Sequence, residues 1–245
     1  YKCVRNCSVK AISIKEQSAF VEVDKCIGCG TCVKVCPSGA KKVRDDLKEL
    51  PGILNENHRV IASVAPSIIS EFPDIGLSKI IAFLKKIGFF GVSETALGAQ
   101  LVSAQIARVL EKNSNNQKVF ISSACPVIVR LVQREYPSLI KYITSLYSPL
   151  LTHAQLLKYH YGEDTKIVFF GPCIAKKFEA DQYPFLDLAL SFEDLRMLIS
   201  QNQTAFDQSS PSSEDRLIPS ESEEGRIYPV DGGMIKTIKA NKRNQ

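Results

Sequence analysis

The chain alternates short apolar runs with longer segments in which apolar residues recur at helical spacing. Apolar runs at 59–66, 118–126 and 165–173 each end at or beside a proline. The segments between them, such as 96–113 and 148–162, carry small and apolar residues three or four positions apart, as amphipathic helices do. Strands that alternate with helices predict an α/β domain with a mainly parallel sheet flanked by helices, and place functional residues at the carboxyl ends of the strands.

The N-terminal part of the chain has a different pattern. Residues 11–24 alternate apolar and polar side chains around a polar turn at 15–18, which predicts a β-hairpin. We therefore predict a small α+β domain at 1–45, a linker at 46–57 and the larger α/β domain at 58–245.

The C-terminal part continues the α/β pattern less regularly. Residues 185–199 have helical spacing and are predicted to form a helix. Residues 201–226 are polar and rich in serine, with prolines, and predict a surface loop. Regular structure is expected to resume around Gly232 and Gly233.

The composition is that of a folded globular protein. Of 245 residues, 44% are apolar and 23% are charged, and the net charge is +5. No apolar run is long and uncharged enough to span a membrane, so no membrane association is expected. The basic residues form no patterned face with base-stacking side chains, so no nucleic-acid partner is expected. The cysteine chemistry described next predicts a cytoplasmic location.

A run of four cysteines is the most specific motif in the chain. Cys26, Cys29, Cys32 and Cys36 are separated by two, two and three residues, and Pro37 follows directly. This is the spacing of bacterial ferredoxins, whose cysteine thiolates hold 4Fe–4S clusters. Thiolates are soft ligands that suit such clusters. The run therefore predicts a ferredoxin-type domain.

Two earlier cysteines extend the same motif. Cys3 and Cys7 have the three-residue gap of the third and fourth ligands, and Ser8 stands where the motif has proline. The first two ligands of that run would precede Tyr1, so we expect the sequence to be a fragment that is truncated at its N-terminus.

The ferredoxin pattern predicts one complete 4Fe–4S site and one partial site. In two-cluster ferredoxins the fourth cysteine of each run ligates the other cluster. Cys7 would therefore complete the set of Cys26, Cys29 and Cys32, and the partial set would be Cys3 and Cys36. Disulfides and a zinc site are alternatives, but zinc sites usually pair two CxxC motifs across a longer loop.

A second pair of cysteines lies in the larger domain. Cys125 and Cys173 each follow a predicted strand beside a proline, and Lys176 and Lys177 come shortly after the second cysteine. A buried cysteine is usually only a small apolar side chain. Two cysteines at the carboxyl edge of a sheet, in a chain with cluster motifs, favour a functional site instead.

Other candidate chemistry is weaker. His153 and His160 lie seven residues apart on one predicted helix, but with no third ligand nearby a core or surface role is favoured over metal binding. Ser122 and Ser123 lack the GxSxG motif of hydrolases.

Three segments resemble motifs of a known family. They resemble motifs of the iron-only (FeFe) hydrogenase large-subunit catalytic domain and occur in the order found in that family. The segments are SSACP at 122–126, GPCIAKKFEAD at 171–181 and YPVDGGMIKT at 228–237. The N-terminus resembles the accessory ferredoxin module of those hydrogenases. The resemblance covers nearly the whole chain and is strongest to a divergent, hydrogenase-like branch connected with sensing.

The resemblance implies an active cluster in which a cubane is joined through a cysteine sulfur to a two-iron unit bearing CO and cyanide. By position, Cys125 and Cys173 would be two of the four cubane ligands. Lys176 would be the cation that holds a cyanide. The motif that supplies the other two cysteines would lie beyond Gln245, so we expect truncation at this end too.

Two positions depart from the family pattern. Ala124 stands where efficient hydrogenases have a cysteine that passes protons to the two-iron unit. Gly171 stands where a methionine is usual, which alters the pocket wall.

We therefore predict a cytoplasmic iron–sulfur redox protein that resembles an iron-only hydrogenase and, if it is an enzyme, is an oxidoreductase of that type. Its expected partner is an electron donor or acceptor protein such as a ferredoxin, and a longer parent protein would add sensory or output domains. One alternative is a non-catalytic protein of electron transfer or of hydrogen or redox sensing. Another is a cluster-assembly factor.

Overall fold

The N-terminal module is a β-hairpin flanked by short helices. The structure, a computed structural model, describes residues 1–56, 59–112 and 119–243. The module contains, in chain order, α1 (Lys2–Asn6), β1 (Ile12–Lys15), β2 (Ser18–Val21) and α2 (Thr31–Lys34). Strands β1 and β2 pair antiparallel, and the turn residues Glu16 and Gln17 have positive φ angles of 47° and 60°, as the tight turns of hairpins require. The predicted hairpin is confirmed.

A parallel sheet of four strands forms the centre of the larger domain. Its spatial order is β4–β3–β5–β6, with the strands β3 (Val60–Val64), β4 (Gly91–Glu94), β5 (Lys166–Gly171) and β6 (Leu188–Ser191). Every residue of β3 is buried. Because successive side chains of a strand point to opposite faces, both faces of the sheet are covered. The predicted α/β class is confirmed.

Helices surround the sheet and connect its strands. They are α3 (Leu50–Glu56), α4 (Ile68–Glu71), α5 (Leu77–Lys86), α6 (Ala96–Lys112), α7 (Pro126–Glu135), α8 (Pro149–Tyr161), α9 (Lys176–Gln182), α10 (Phe192–Gln201), α11 (Gln203–Asp207) and α12 (Gly233–Arg243). Short 3-10 helices occur at Leu47–Glu49, Pro137–Tyr142 and Glu224–Ile227. Phe83 and Phe170 are completely buried in the core. None of the described helices is both long and apolar enough to cross a membrane.

The predicted strand at 118–126 is wrong. Ile121 pairs only with Ile143 in an isolated bridge, outside the four-stranded sheet. The two serines that follow bond to backbone groups outside any strand ladder. Ser122 Oγ accepts from Ala124 N at 3.2 Å, and Ser123 Oγ donates to Leu146 O at 2.6 Å. Such side-chain bonds compete with a strand ladder. Lys118, the first residue of this prediction, lies outside the described residues.

The predicted helix at 185–199 is correct only in its second half. Residues Leu188–Ser191 form β6, and the helix begins at Phe192. Ser191 and Asp194 form a capping box, which fixes this start because each side chain bonds the backbone of the other residue.

The segment at 201–226 is more ordered than the predicted surface loop. It contains α11 and the start of the 3-10 helix, and Leu217 is buried. Ile218 N donates to Val92 O at 2.9 Å, so the segment covers the outer edge of β4. An edge strand that is covered in this way is protected from pairing with other chains.

The predicted linker at 46–57 packs against the larger domain. Leu47 and Leu50 are buried in the main core, and α3 occupies most of the segment. Positions 57 and 58, where the predicted boundary falls, lie outside the described residues.

Candidate functional site

Four cysteine side chains of the N-terminal module line one small cavity. They are Cys7, Cys26, Cys29 and Cys32, the set predicted for the complete site, and apolar side chains form much of the remaining lining. Among the described residues, no three His, Cys, Asp or Glu side chains are placed to hold a single metal ion. Four cysteines that line one cavity without converging on a single point suit a polynuclear cluster better than zinc, whose ligands meet at one ion.

Local hydrogen bonds orient these sulfurs. Ala11 N donates to Cys7 Sγ at 3.2 Å, and Gly28 N donates to Cys26 Sγ at 3.3 Å. Hydrogen bonds to sulfur stabilise negative charge there, and in iron–sulfur proteins they help to set the reduction potential.

Cys3 and Cys36, predicted as a partial second site, lie outside this cavity. Cys3 is buried, and Cys36 Sγ lies 3.6 Å from Ser38 Oγ. The Ser38 hydroxyl and the Lys41 backbone N–H lower the pKa of the Cys36 thiol to about 7. Burial raises the pKa of the Cys32 thiol instead. The two thiols of the run therefore differ in acidity because their surroundings differ.

A second cavity, of about 280 Å³, lies at the carboxyl edge of the sheet. It is lined mainly by apolar residues, and it brings together Cys125, Cys173 and Lys176. The residues that directly follow three adjacent strands contribute to its wall: Ala65, Pro66, Thr95, Pro172 and Cys173. The carboxyl edge of a parallel sheet is where such folds place their sites.

The two cysteines reach this cavity from different structural contexts. Cys173 follows β5 as predicted, whereas Cys125 is the N-cap residue of α7 and precedes Pro126 at the first helical position. Cys125 is exposed and Cys173 is half-buried. Burial raises the pKa of the Cys173 thiol, and the charge of Lys176 opposes that shift.

Lys176 is held in a buried polar network at the cavity wall. Its Nζ lies 2.9 Å from Glu179 Oε2, 3.1 Å from Ser148 Oγ and 3.5 Å from Ala124 O. Ser148 Oγ also donates to Glu179 Oε2 at 2.9 Å. Glu179 and Ser148 were not among the residues predicted from the sequence. The i,i+3 spacing of Lys176 and Glu179 on a helix is the signal for the first.

The two departures from the family pattern both lie near this cavity. Ala124 lines it and offers only its backbone carbonyl to Lys176. A Cβ on Gly171 would lie 2.3 Å from the ring atom Cζ of Phe169, which also lines the cavity. The Phe169 ring thus occupies the space beside position 171, which explains a glycine there.

The cysteine loop of the N-terminal module packs directly on the segment that follows Cys173. A Cβ on Gly28 would lie 2.5 Å from Phe178 Cε2 and 3.3 Å from Ala175 Cβ, and one on Gly30 would lie 3.1 Å from Ile174 Cδ1. Both glycines have positive φ angles, 74° and 77°. Gly28 is therefore required for two reasons. Its backbone has a positive φ, and Phe178 leaves no space for a side chain.

Polar contacts reinforce this junction. Arg44 forms a bidentate pair with Asp181, with both N–O distances at 2.8 Å. Lys177 lies 3.1 Å from Asp46 and 3.2 Å from Asp194, and all three side chains are nearly inaccessible to solvent. The exposed Arg44 pair is expected to contribute little, whereas removing one member of the buried group would leave an unpaired charge.

His153 is a core residue that joins three elements. Its Nδ1 and Nε2 lie 2.8 Å from the hydroxyl oxygens of Ser63 on β3 and Ser93 on β4. The ring is completely buried, and desolvation lowers its pKa to about 3. His160 on the same helix is exposed. The two histidines therefore share no site, and the favoured packing role applies to His153.

Comparisons with known proteins match both parts of the chain. Residues 58–245 match the family model described as the iron only hydrogenase large subunit, C-terminal domain. Residues 19–42 match the family model described as a 4Fe-4S binding domain. Together the two matches span the cysteine run, Cys125, Cys173 and Lys176.

Several curated proteins are similar at low identity. The NADP-reducing hydrogenase subunit HndD of Solidesulfovibrio fructosivorans is 24% identical over 242 residues, covering 86% of this chain and 41% of that protein. Iron hydrogenase 1 of Clostridium pasteurianum is 28% identical over 226 residues, covering 82% of this chain and 39% of that protein. Protein NAR1 of Arabidopsis thaliana is 25% identical over 274 residues, covering 93% of this chain and 58% of that protein.

The chain spans about two fifths of the length of the first two relatives. A solved structure, from a study of oxygen inactivation of an FeFe-hydrogenase, matches with a TM-score of 0.56 at 20% identity and covers 81% of this chain and 55% of that one. At that identity the match supports the fold.

Proposed function

The chain belongs to the iron-only hydrogenase large-subunit family, and on that premise we propose that it is an iron–sulfur redox protein whose N-terminal clusters exchange electrons with a hydrogenase-type site at the sheet edge. One observation carries the proposal. The loop that contains Cys26 and Cys29 lies against the segment 174–178, directly after Cys173. A cluster in the first site would therefore lie close to a cluster held at Cys173.

In the N-terminal module, Cys7, Cys26, Cys29 and Cys32 would hold a 4Fe–4S cluster. The residues fit the group, because four sulfurs surround an apolar cavity and backbone N–H groups already point at two of them. Such a cluster supplies one-electron transfer when it is bound. The lining is largely apolar, and the two N–H groups that donate to sulfur stabilise negative charge there.

At the sheet edge, Cys125 and Cys173 would supply two ligands of the hydrogenase-type cluster. The mainly apolar wall and the burial of Lys176 and Glu179 strengthen the charge interaction between these two side chains. Lys176 would present its ammonium to an anionic ligand there by giving up its weakest contact, the 3.5 Å one to the Ala124 carbonyl. Glu179 and Ser148 keep the ammonium in place.

Proton delivery is the step for which this chain is poorly equipped. Ala124 offers no acidic proton, whereas a cysteine there would carry one. We therefore propose slow hydrogen turnover or a sensing role rather than fast catalysis. Cluster and free-thiol chemistry also favours a reducing compartment such as the cytoplasm, and an electron-carrier protein such as a ferredoxin as partner.

Infrared spectroscopy tests the hydrogenase-type site. Protein matured anaerobically with hydrogenase maturation enzymes is expected to show stretching bands of metal-bound CO and cyanide, and these bands should be lost in Cys173→Ala. Absence of these bands in protein that still shows cubane signals would contradict the hydrogenase-type site.

A role in cluster assembly is the second candidate. It is favoured by the match over 93% of this chain to protein NAR1 of Arabidopsis thaliana, and by the similarity to a cytosolic Fe-S cluster assembly factor of Yarrowia lipolytica. Transfer of iron and sulfide from loaded protein to an apo-acceptor, with no hydrogen-dependent reduction of the clusters, would favour this candidate over the first.

A further inference from the structure

We propose that the cleft between the N-terminal module and helices α7 and α9 binds a small anion carrying a carboxylate or phosphate group. The cleft has a volume of about 750 Å³, within the range of small-molecule sites. It shares only Pro126 with the cavity at the sheet edge and no residue with the cavity of the N-terminal module, and no described cysteine lines it. Polar and basic groups on its wall include Arg130, Arg134, Ser123, Thr144 and Gln133.

The charge balance of the cleft favours an anion. Its two carboxylates are already paired, Asp181 with Arg44 at 2.8 Å and Glu179 with Lys176 at 2.9 Å. Arg130 and Arg134 lie one helical turn apart on α7, and neither forms an ion pair with a described carboxylate, although Asp181 is close enough to act on the charge of Arg130. Two neighbouring guanidinium groups repel each other, and an anion between them would remove that repulsion.

Arg130 has unused hydrogen-bonding capacity. Its guanidinium stacks on the ring of Phe178, 3.9 Å from the centroid, which leaves the in-plane N–H groups available. Its Nη1 is buried and makes no hydrogen bond to a described residue. Burial and the charge of Arg134 lower the pKa of the Arg130 guanidinium. Because Nη1 is closed to solvent, an anion in the cleft would bond to the other N–H groups of the Arg130 guanidinium.

The cleft is connected to the cysteine loop through Arg134. Its Nη1 donates to the carbonyl of Cys26 at 3.1 Å. A negative charge bound beside Arg134 would favour the oxidised form of a cluster held at Cys26, and so lower its reduction potential. This connection rests on the proposed function, whereas anion binding itself does not.

Isothermal calorimetry under anaerobic conditions tests the site. Inorganic phosphate and malonate are titrated separately into the chain at an ionic strength fixed with chloride, and the tighter of the two identifies the preferred group. Saturable binding is expected, and Arg130→Gln and Arg134→Gln should each lower the affinity about tenfold or more. Arg108→Gln is the control, because Arg108 is exposed on α6, away from the cleft, and should leave affinity unchanged.

Arg130→Lys separates a loss of binding from a folding defect. It keeps the positive charge and removes only the planar guanidinium group with its paired N–H donors. It should weaken binding less than Arg130→Gln while far-UV circular dichroism stays unchanged. No saturable binding of either anion, or equal affinity in the wild type and both glutamine variants, would overturn the proposal.

The potential of the N-terminal cluster is the second readout. An anion concentration that just saturates the wild type should lower its potential, and the same concentration should lower the potential of Arg130→Gln less, because that variant binds the anion more weakly. A chain that binds anion normally but shows no cluster by electron paramagnetic resonance would refute the proposed function and leave the anion site standing. A chain with clusters but no anion binding would refute only the site.

Discussion

Replacement of Gly28 by alanine should loosen the contact between the cysteine loop and α9. The added Cβ would lie 2.5 Å from Phe178 Cε2 and 3.3 Å from Ala175 Cβ. Because non-bonded carbon atoms do not approach to 2.5 Å, the Phe178 ring must move. The guanidinium of Arg130, which stacks on that ring, must move with it. The perturbation therefore acts at the junction on which the proposed electron path depends.

The magnitude follows from two separate costs. A left-handed conformation at a residue with a Cβ costs about 1–2 kcal/mol, and overpacking a dense contact costs about 1–3 kcal/mol. Gly28→Ala should therefore destabilise the protein by about 2–5 kcal/mol. Gly39 also has a positive φ, 63°, but no atom lies within 4 Å of the position that an added Cβ would occupy. Gly39→Ala should therefore incur only the cost of the left-handed conformation. The loss of unfolded-state entropy is the same in both variants and cancels in the comparison.

Chemical denaturation under anaerobic conditions measures both variants. The unfolding midpoint of Gly28→Ala should lie below that of Gly39→Ala by the equivalent of about 1–3 kcal/mol. The iron content should stay normal in Gly39→Ala. Equal midpoints for the two variants would refute the close packing of the loop on α9.

The remaining predictions concern the clusters and the buried polar groups. Cys29→Ala should lower the iron and sulfide content, measured by chemical analysis, by the amount that one cluster contributes. An unchanged content would refute the assignment of Cys29 as a ligand. Lys176→Met should destabilise the protein by about 3–5 kcal/mol, because Glu179 loses its buried cation, and adding Glu179→Gln should recover part of the loss in the same denaturation assay. His153 has its pKa lowered to about 3 in the folded protein, so unfolding takes up a proton below its unfolded pKa of about 6.5. The wild type should therefore lose about 2 kcal/mol more stability between about pH 7 and pH 5 than His153→Gln does, and parallel pH profiles would contradict this.

The sequence predicted the parts of the fold whose pattern is local. The alternation at 11–24 gave the hairpin, and the apolar runs at 59–66 and 165–173 gave the central strands β3 and β5. The run at 118–126 has the same composition but stays outside the sheet. Two serine side chains distinguish it. Ser122 bonds to the backbone of Ala124, and Ser123 bonds to Thr144 and Leu146, a contact that depends on where residues 144–146 lie.

The candidate sites were predictable where residue type and spacing carry the chemistry. The ferredoxin spacing, with the rule that the fourth cysteine of each run ligates the other cluster, grouped Cys7 with Cys26, Cys29 and Cys32, and these four residues line one cavity. The family resemblance brought Cys125, Cys173 and Lys176 to another. Arg134 and Ser148 could not be predicted, because their partners Cys26 and Glu179 lie 108 and 31 positions away along the chain, and no local pattern encodes such a contact.

Electron paramagnetic resonance of the chemically reduced protein, loaded anaerobically with iron and sulfide, tests the central claim most directly. We expect the signal of a reduced 4Fe–4S cubane, and its loss in Cys29→Ala. Zinc bound in stoichiometric amount, with no cubane signal after reconstitution, would show that the cysteines of the N-terminal module do not hold a 4Fe–4S cluster.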